Sequence, residues 1–215
     1  MADTILQVKD LAVSFASYAG KVQAVRNISF DLYRGETLAI VGESGSGKSV
    51  TTKAILGILP GNGTIESGEI LYNGADLAKF ADKDFESVRG KKISLVFQDP
   101  LSALNPIMKI GKQIMEALVL SKASTKGAAK ERALELMRRV GIPQPEIRFN
   151  QYPFQFSGGM RQRIVIAIAL ACNPEILICD EPTTALDVTI QAQILELINE
   201  IKDRNHLSII FITHD

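Results

Sequence analysis

A glycine-rich segment carries the clearest chemistry in the sequence. Residues 42–49 read GESGSGKS, which matches the spacing GxxxxGK[ST], and they lie between an apolar run and a helical pattern. In such a loop, successive backbone N–H groups surround phosphate oxygens, and the start of the helix adds partial positive charge. We expect Lys48 to contact the β- and γ-phosphates of a nucleotide and Ser49 to place its hydroxyl on Mg²⁺. The phosphate loop predicted in this way consists of Gly42, Glu43, Ser44, Gly45, Ser46, Gly47, Lys48 and Ser49.

Two adjacent carboxylates follow an apolar run later in the chain. Residues 176–181 read ILICDE, so Asp180 and Glu181 lie at the end of a predicted buried strand, where α/β sheets bind their ligands. Adjacent acidic residues at a strand end are commonly solvated turn residues. The phosphate loop in the same chain favours instead a role for this pair in nucleotide hydrolysis. Asp180 is then expected to hold Mg²⁺, and Glu181 to orient or deprotonate a water that attacks the γ-phosphate.

A second possible anion site begins at Ser157. Residues 156–162 read FSGGMRQ and precede an apolar helical segment. Ser157 is predicted to cap this helix, and the two glycines leave the first helical N–H groups open to an anion. Read in isolation, the same letters also describe an ordinary Ser-Gly-Gly cap. One nucleotide needs only one such loop, so the second requires another explanation.

The elements that position these residues alternate in type along the chain. The predicted strands cover residues 6–15, 27–33, 37–41, 93–97, 175–179 and 207–213. The predicted helices cover residues 49–59, about 104–140 and 190–202. Pro60 is expected to stop the first helix, and a polar linker at 121–130 to divide the second, which Gly141 caps. Residues 68–77 predict a hairpin with an Asn-Gly turn. The pattern indicates an α/β sheet interrupted by a helical insertion.

Composition excludes several classes of protein. The 215 residues are 46% hydrophobic and 22% charged, with 24 Lys and Arg against 24 Asp and Glu, so the net charge favours neither nucleic acid nor anionic lipid. The longest apolar run, residues 164–172, is much shorter than the ~20 residues of a membrane-spanning helix. Cys172 and Cys179 form no CxxC pair. We therefore predict two buried packing cysteines in a reduced, cytosolic setting.

Five motifs in order resemble the nucleotide-binding subunit of ABC transporters: GESGSGKS, FQDP, FSGGMRQR, ILICDEPTTALD and ITHD. The resemblance covers essentially the whole chain. It implies an α/β fold with a RecA-like P-loop NTPase core, an antiparallel β subdomain and an inserted α-helical subdomain. The expected division is a single ABC ATPase domain over 1–215, with its core in 1–99 and 164–215 and the helical subdomain in 100–163. Because family members continue further, a C-terminal truncation is expected.

The resemblance also assigns roles in ATP hydrolysis. Gln98 resembles the Q-loop glutamine that touches Mg²⁺ and the attacking water. Glu181 corresponds to the catalytic carboxylate and His214 to the switch histidine that contacts the γ-phosphate. The implied Mg²⁺ ligands are therefore Ser49, Gln98 and Asp180.

In this family two cassettes pack head to tail, and each ATP lies between one P-loop and the signature motif of the partner. That arrangement implies that Ser157, Gly158 and Gly159 bind the partner's ATP, and that Asp187 of the D-loop reaches across the dimer. The commonest signature is LSGGQ, and Met160 cannot form the hydrogen bonds of the glutamine.

Adenine stacks on an aromatic side chain in this family. Phe15 fits that position best, and Tyr18 is a second candidate. A lone aromatic residue near a strand end is also commonly part of the core.

The residues in and around the motifs resemble those of the ATPases of bacterial dipeptide and oligopeptide importers. VFQDPLSALNP, QYPFQFSGGMRQR and DEPTTALDVTIQAQIL carry this similarity. It implies a second, paralogous ATPase subunit, two membrane permease subunits, an extracytoplasmic solute-binding protein, and a location at the cytoplasmic face of the bacterial membrane. Nucleic acid is not an expected partner. The C-terminal cysteine cluster for an iron–sulfur centre, usual in this branch, is absent from the sequence.

Other functions are compatible with parts of the pattern. Closely similar subunits serve importers of nickel and other solutes, so the solute stays open. A soluble ABC ATPase acting on DNA or ribosomes would carry coiled-coil arms, a second cassette or basic extensions, and the sequence has none of these. A P-loop kinase has no use for FSGGM and ALD.

Overall fold

The computed structural model describes residues 3–18, 20–120, 125–184 and 186–214, which form eight strands and eight α-helices. The strands are β1 (Thr4–Ser17), β2 (Gly20–Tyr33), β3 (Thr37–Val41), β4 (Gly63–Tyr72), β5 (Ala75–Asp76), β6 (Ile93–Val96), β7 (Ile176–Asp180) and β8 (Ser208–Thr213). The α-helices are α1 (Lys48–Ile55), α2 (Asp82–Phe85), α3 (Pro100–Ala103), α4 (Ile110–Leu120), α5 (Lys126–Arg139), α6 (Pro145–Arg148), α7 (Gly158–Ala169) and α8 (Val188–Asn205). Short 3₁₀ helices cover Leu77–Lys79 and Pro153–Gln155.

The chain divides into two compact units. Residues 1–89 and 208–215 form the first unit, and residues 90–207 form the second. The boundaries expected from the sequence concern subdomains of one ATPase domain, and they remain a prediction. Each unit positions its own set of candidate site residues.

An antiparallel sheet ordered β2-β1-β4-β5 occupies much of the first unit. Leu6, Leu11 and Leu32 are fully buried in it, and each stabilises the fold by about 2 kcal/mol through removal of apolar surface from water. The pairing of β1 with both neighbours is interrupted by register shifts. These bulges account for four consecutive buried residues at 11–14, where a regular strand would bury every second one. The antiparallel strands predicted here are confirmed.

The predicted Asn-Gly hairpin turn is also confirmed. Asn73 and Gly74 have φ angles of 45° and 84° between β4 and β5. Positive φ at both central residues is the requirement of the tight hairpin turn that favours this residue pair.

A parallel pair of strands carries the phosphate loop. β3 pairs with β8 from Thr37↔Ile209 to Val41↔Thr213. The loop follows Val41 and His214 follows Thr213, so the parallel pairing brings both to one edge of the first unit.

Helix α1 ends earlier than the sequence pattern indicated. It was expected to continue to Leu59 and stop at Pro60, but its last residue is Ile55. Gly57 has a φ of 61°, its N–H donates to the carbonyl of Ala54, and Ile58 N–H donates to the carbonyl of Lys53. This pair of hydrogen bonds is the Schellman arrangement, in which a left-handed glycine ends the helix.

The second unit combines a parallel strand pair with the helical insertion. β6 pairs with β7 from Ile93↔Ile176 to Val96↔Cys179. Helix α7 packs against α3, α4, α5, α8 and β6, and the consecutive residues 164–167 are all buried. The second half of α7, apolar on all sides over these residues, therefore belongs to the interior. Within the described ranges, no helix combines the length and the hydropathy needed to cross a bilayer.

The predicted linker at 121–130 is helical in its second half. Residues 126–130 belong to α5, and Thr125 precedes it in an extended conformation. Lys and Ala are good helix formers, and Ala129 is fully buried on the face that continues through Ala133 and Leu136. Packing of this face therefore extends the helix. Residues 121–124 lie outside the described residues.

The two cysteines differ in burial. Cys179 is buried in β7 as predicted, and burial raises the pKa of its thiol to about 12. Cys172 is only half-buried, against the prediction, and its Sγ donates to the carbonyl of Ala117. It lies just after the end of α7, where the chain leaves the interior.

Candidate nucleotide site

Glycines give the phosphate loop its shape. Gly45 and Gly47 have φ angles of 81° and 94°, which residues with a side chain rarely adopt. A Cβ atom at Gly47 would lie 2.5 Å from the carbonyl oxygen of Ala24 in β2. Only glycine permits this close approach, so the loop is fixed against the antiparallel sheet while residues 43–46 stay exposed.

Helix α1 begins without a side-chain cap. Gly47 is the N-cap, and it has no side chain that could accept a hydrogen bond from the first helical N–H groups. Lys48 is 8% exposed, and its Nζ donates to the carbonyls of Gly42 (2.5 Å) and Glu43 (2.9 Å). The ammonium group is thus folded onto the loop. The N–H groups of a helix start, the helix dipole and a nearby cation together suit an anion of high charge.

The two candidate aromatic residues have different environments. Phe15 in β1 is half-buried, and a Cβ at Gly63 would lie 2.8 Å from its ring. Tyr18 follows β1 and is fully exposed. The packing against Gly63 fixes one side of the Phe15 ring, whereas nothing in the described residues holds Tyr18. Adenine stacking on either ring remains a prediction.

The second unit brings three predicted site residues together. Because β6 and β7 are parallel, Gln98, which follows β6, lies at the same end of the strand pair as Asp180, which ends β7, and Glu181, which follows it. Gln98 Nε2 donates to Glu181 Oε2 at 3.1 Å, and Thr184 Oγ1 donates to the same oxygen at 3.1 Å. Glu181 is thereby held by donors from two segments.

The backbone at Glu181 is strained. Its φ is 46°, which is uncommon for a residue with a side chain and costs about 1–3 kcal/mol. The contact with Thr184 was missed by sequence reasoning, although a threonine three residues after Glu181 is the available signal.

The donor set suits Mg²⁺. Within the second unit, the Asp180 carboxylate and the Gln98 amide carbonyl are hard oxygen ligands of the kind that this ion prefers, and Ser49 offers a hydroxyl in the first unit. That these three residues hold one Mg²⁺ ion remains a prediction. Among the described residues, the Oε1 atom of Gln98 accepts no hydrogen bond, so it remains available to a ligand.

The signature segment starts α7 as predicted. Ser157 is the N-cap, and its Oγ accepts a hydrogen bond from Met160 N–H at 3.4 Å. A Cβ at Gly159 would lie 2.6 Å from Cγ2 of Ile190. The glycine therefore lets α7 lie close to α8.

Signature and D-loop residues line one open depression of about 580 Å³. Its lining consists of Ser157, Gly158, Gly159, Thr184, Leu186, Asp187 and Ile190. Asp187 is exposed at the start of α8 and does not cap it with its side chain. Gln191 Nε2 donates to the carbonyls of Thr183 (3.1 Å) and Leu186 (3.0 Å), which fixes the segment before α8. Sequence reasoning missed Gln191, because its role depends on this turn.

Comparison with known proteins agrees with the geometry. Residues 25–184, more than half of the chain, match the family described as ABC transporter. The oligopeptide transport ATP-binding protein OppD of Bacillus subtilis (strain 168) is 60% identical over 212 residues, covering 98% of this chain and 59% of that protein. The dipeptide transport ATP-binding protein DppD of Lactococcus lactis subsp. cremoris (strain MG1363) is 57% identical over 99% of this chain and 61% of that protein. The chain thus spans about three fifths of the length of these relatives.

Solved structures are similar over nearly the whole chain. The dimeric post-hydrolysis state of the ATP-binding cassette MJ0796, bound to ADP and Pi, superposes with a TM-score of 0.85 at 27% identity, covering 98% of this chain and 88% of that one. The structure of cbiO1 from Clostridium perfringens, part of the ABC transporter complex cbiONQ, gives 0.82 at 29% identity over 99% and 79%. These similarities confirm the predicted fold. The chain belongs to the ABC transporter family and has the ABC ATPase fold.

Proposed function

We propose that this chain is the ATP-binding and ATP-hydrolysing part of a subunit that powers a peptide importer. The observation that carries the hydrolytic role is the Glu181 carboxylate, held by Gln98 and Thr184 at the carboxyl ends of parallel strands. The identity of 49–60% to oligopeptide and dipeptide transport ATP-binding proteins supports the transport role.

Nucleotide binding is assigned to the first unit. The N–H groups of the phosphate loop surround the β- and γ-phosphates, and the Lys48 ammonium neutralises part of their charge. Phe15 stacks on adenine. Its half-buried position beside Gly63 supports this role, whereas Tyr18 is fully exposed and is the weaker candidate. His214, at the same edge as the loop, contacts the γ-phosphate.

Hydrolysis is an in-line attack of water on the γ-phosphorus. Glu181 accepts a proton from the water as its oxygen bonds to phosphorus, and ADP departs with the electron pair of the broken bond. Gln98 orients the water. Mg²⁺, when held by Ser49, Asp180 and Gln98, supplies positive charge to the phosphate oxygens.

A second ATPase subunit completes the arrangement. The start of α7 and Asp187 face a shared depression, and they bind ATP held by the partner cassette. That partner is a paralogous chain, and both attach to two membrane permease subunits at the cytoplasmic face of the bacterial membrane. The extracytoplasmic solute-binding protein delivers the peptide to the permease subunits and does not contact this chain.

The test is purification of the full-length subunit from its native host under mild conditions. We expect two permease proteins and a second ATPase to co-purify, and ATP hydrolysis by the reconstituted complex to rise with a peptide-loaded binding protein. Nickel ions serve as the control solute. Stimulation by nickel alone would redirect the proposal to another importer, and co-purification with ribosomes or DNA without permeases would contradict it.

A further inference from the structure

Arg89 closes the end of the nucleotide-binding helix that lies opposite to the phosphate loop. Its Nε donates to the carbonyl of Leu56 at 2.7 Å, and its Nη2 donates to the carbonyl of Gly57 at 2.7 Å. Leu56 is the C-cap of α1 and Gly57 is the left-handed residue that ends it. An arginine more than thirty residues away in sequence therefore binds the carbonyl of the C-cap residue and that of the residue after it.

The guanidinium is itself held in place. Nη1 donates to Asp82 Oδ1 at 2.7 Å, and the guanidinium carbon lies 4.6 Å from the centre of the Phe85 ring. Phe85 is buried, and a Cβ at Gly57 would lie 2.3 Å from its ring, so α2 and the end of α1 are in direct contact. We call Asp82, Phe85 and Arg89 the Arg89 clamp.

The Arg89 clamp contacts the end of a short helix. Helix α1 has eight residues, which makes it roughly 12 Å long. The carbonyls at the end of a helix lack partners within it, and this end carries partial negative charge. A cation with two directed donors at that end fixes the axis of α1, and the same axis directs the N–H groups at Lys48.

We propose that Arg89 is a positioning residue for nucleotide binding. This inference rests on the proposed function, because it assigns to Arg89 the orientation of the helix that binds the phosphates. Arg89 lies at the far end of α1 and does not touch the nucleotide. Loss of the clamp leaves the binding groups present but less well oriented, and the cost of ordering them then reduces affinity.

The experiment compares ATP KM and kcat for variants of the full-length subunit in the assembled transporter. Arg89→Gln is expected to raise KM about tenfold and to leave kcat within twofold. Arg89→Lys keeps a cation that can reach a carbonyl but lacks the planar fork, so its KM is expected to rise about threefold. Asp82→Asn, which removes only the ion pair, is expected to raise KM about twofold.

Arg132→Gln is the matched control. Arg132 also donates to a carboxylate, Glu135, and to a neutral acceptor, Asn173 Oδ1, but it lies in the second unit. Its loss is expected to lower the melting temperature without moving KM. The inference is overturned if Arg89→Gln leaves KM within twofold, or if Arg132→Gln raises KM equally.

Two further readouts keep the test decisive. If Arg89→Gln does not fold, Asp82→Asn and Arg89→Lys carry the test, and an unchanged KM in both overturns the inference. Lys48→Ala separates this inference from the proposed function. A wild-type KM in Lys48→Ala would contradict nucleotide binding at the loop itself, whereas failure of the clamp alone leaves the effect of Lys48 intact.

Discussion

The starts of α1 and α7 are both glycine-rich helix N-termini, yet they are built differently. At α1 the N-cap Gly47 is left-handed and has no side chain to serve as a cap, and the buried Lys48 ammonium lies on the loop. At α7 the N-cap Ser157 is extended and its own Oγ accepts from Met160 N–H. Arg161, in the first turn of α7, donates its Nε to the carbonyl of Pro153.

This difference indicates that the two helices have different roles in ATP binding. The first combines a glycine N-cap with a buried cation, a set of groups that suits phosphates, whereas the Ser157 hydroxyl of the second already accepts a hydrogen bond from an N–H group of its own helix. We therefore expect α1 to supply the affinity for ATP within one chain, and α7 to act only on ATP that a partner cassette already holds.

Substitution of Glu181 separates the hydrolysis step from ATP binding by α1 and α7, and it has the largest expected effect. Glu181→Gln keeps the shape of the side chain but removes its basicity, so turnover in the complete transporter should fall by about 10²–10⁴ while ATP stays bound. Paired cassettes should then accumulate in an ATP-bound, closed form. Single-site turnover and nucleotide affinity measure both.

Asp180→Asn is the comparison for that variant, since it should also weaken Mg²⁺-dependent binding. If Glu181→Gln hydrolyses ATP within about threefold of wild type, another residue serves as the base.

Lys48→Ala removes the charge on which the α1 site depends. ATP affinity in the assembled transporter should fall about a hundredfold at this site, because phosphate oxygens lose a charge-assisted partner. Equilibrium titration with a fluorescent ATP analogue gives the affinity. Lys53→Ala, in the last turn of the same helix, is the control and should bind normally; equal loss in both variants would argue against a specific role of Lys48.

Ser157→Ala tests the α7 side. Loss of the hydroxyl removes the cap of α7 and the proposed contact with the partner's ATP, so steady-state turnover of the transporter should fall about tenfold. Ser157→Thr retains an oxygen and should keep most of the activity. Normal turnover in Ser157→Ala would mean that this helix start takes no part.

Met160→Gln has the smallest expected effect. It restores the residue of the commonest signature, and the capping bond of Ser157 uses the backbone N–H of residue 160, which the change leaves intact. Turnover should stay within about twofold, the scale of one weak exposed hydrogen bond. A large gain, measured in the same assay, would show that the methionine limits the wild-type site.

The sequence was informative where short-range patterns decide the structure. The glycine spacing of the phosphate loop, the apolar runs of β3 and β7 and the N-cap Ser157 are local features, and all were predicted. The end of α1 was not, because a glycine inside a helical pattern is often tolerated. Here the contacts of Gly57 with Phe85 and Arg89, about thirty residues later, accompany its left-handed conformation.

The same reason applies to the site. Thr184 and Gln191 act through a turn whose path no periodicity reveals. Helix α5 begins at Lys126 because Ala129 packs into the interior, which composition alone did not indicate.

The most direct measurement of the central claim is ATP affinity of the full-length subunit purified without its partners. Wild type, Lys48→Ala and Ser157→Ala are titrated side by side, with thermal melting to confirm that each is folded. We expect Ser157→Ala to bind ATP within twofold of wild type and Lys48→Ala to lose about a hundredfold in affinity. A folded Ser157→Ala that loses as much affinity as Lys48→Ala would contradict the division of work between the two helices.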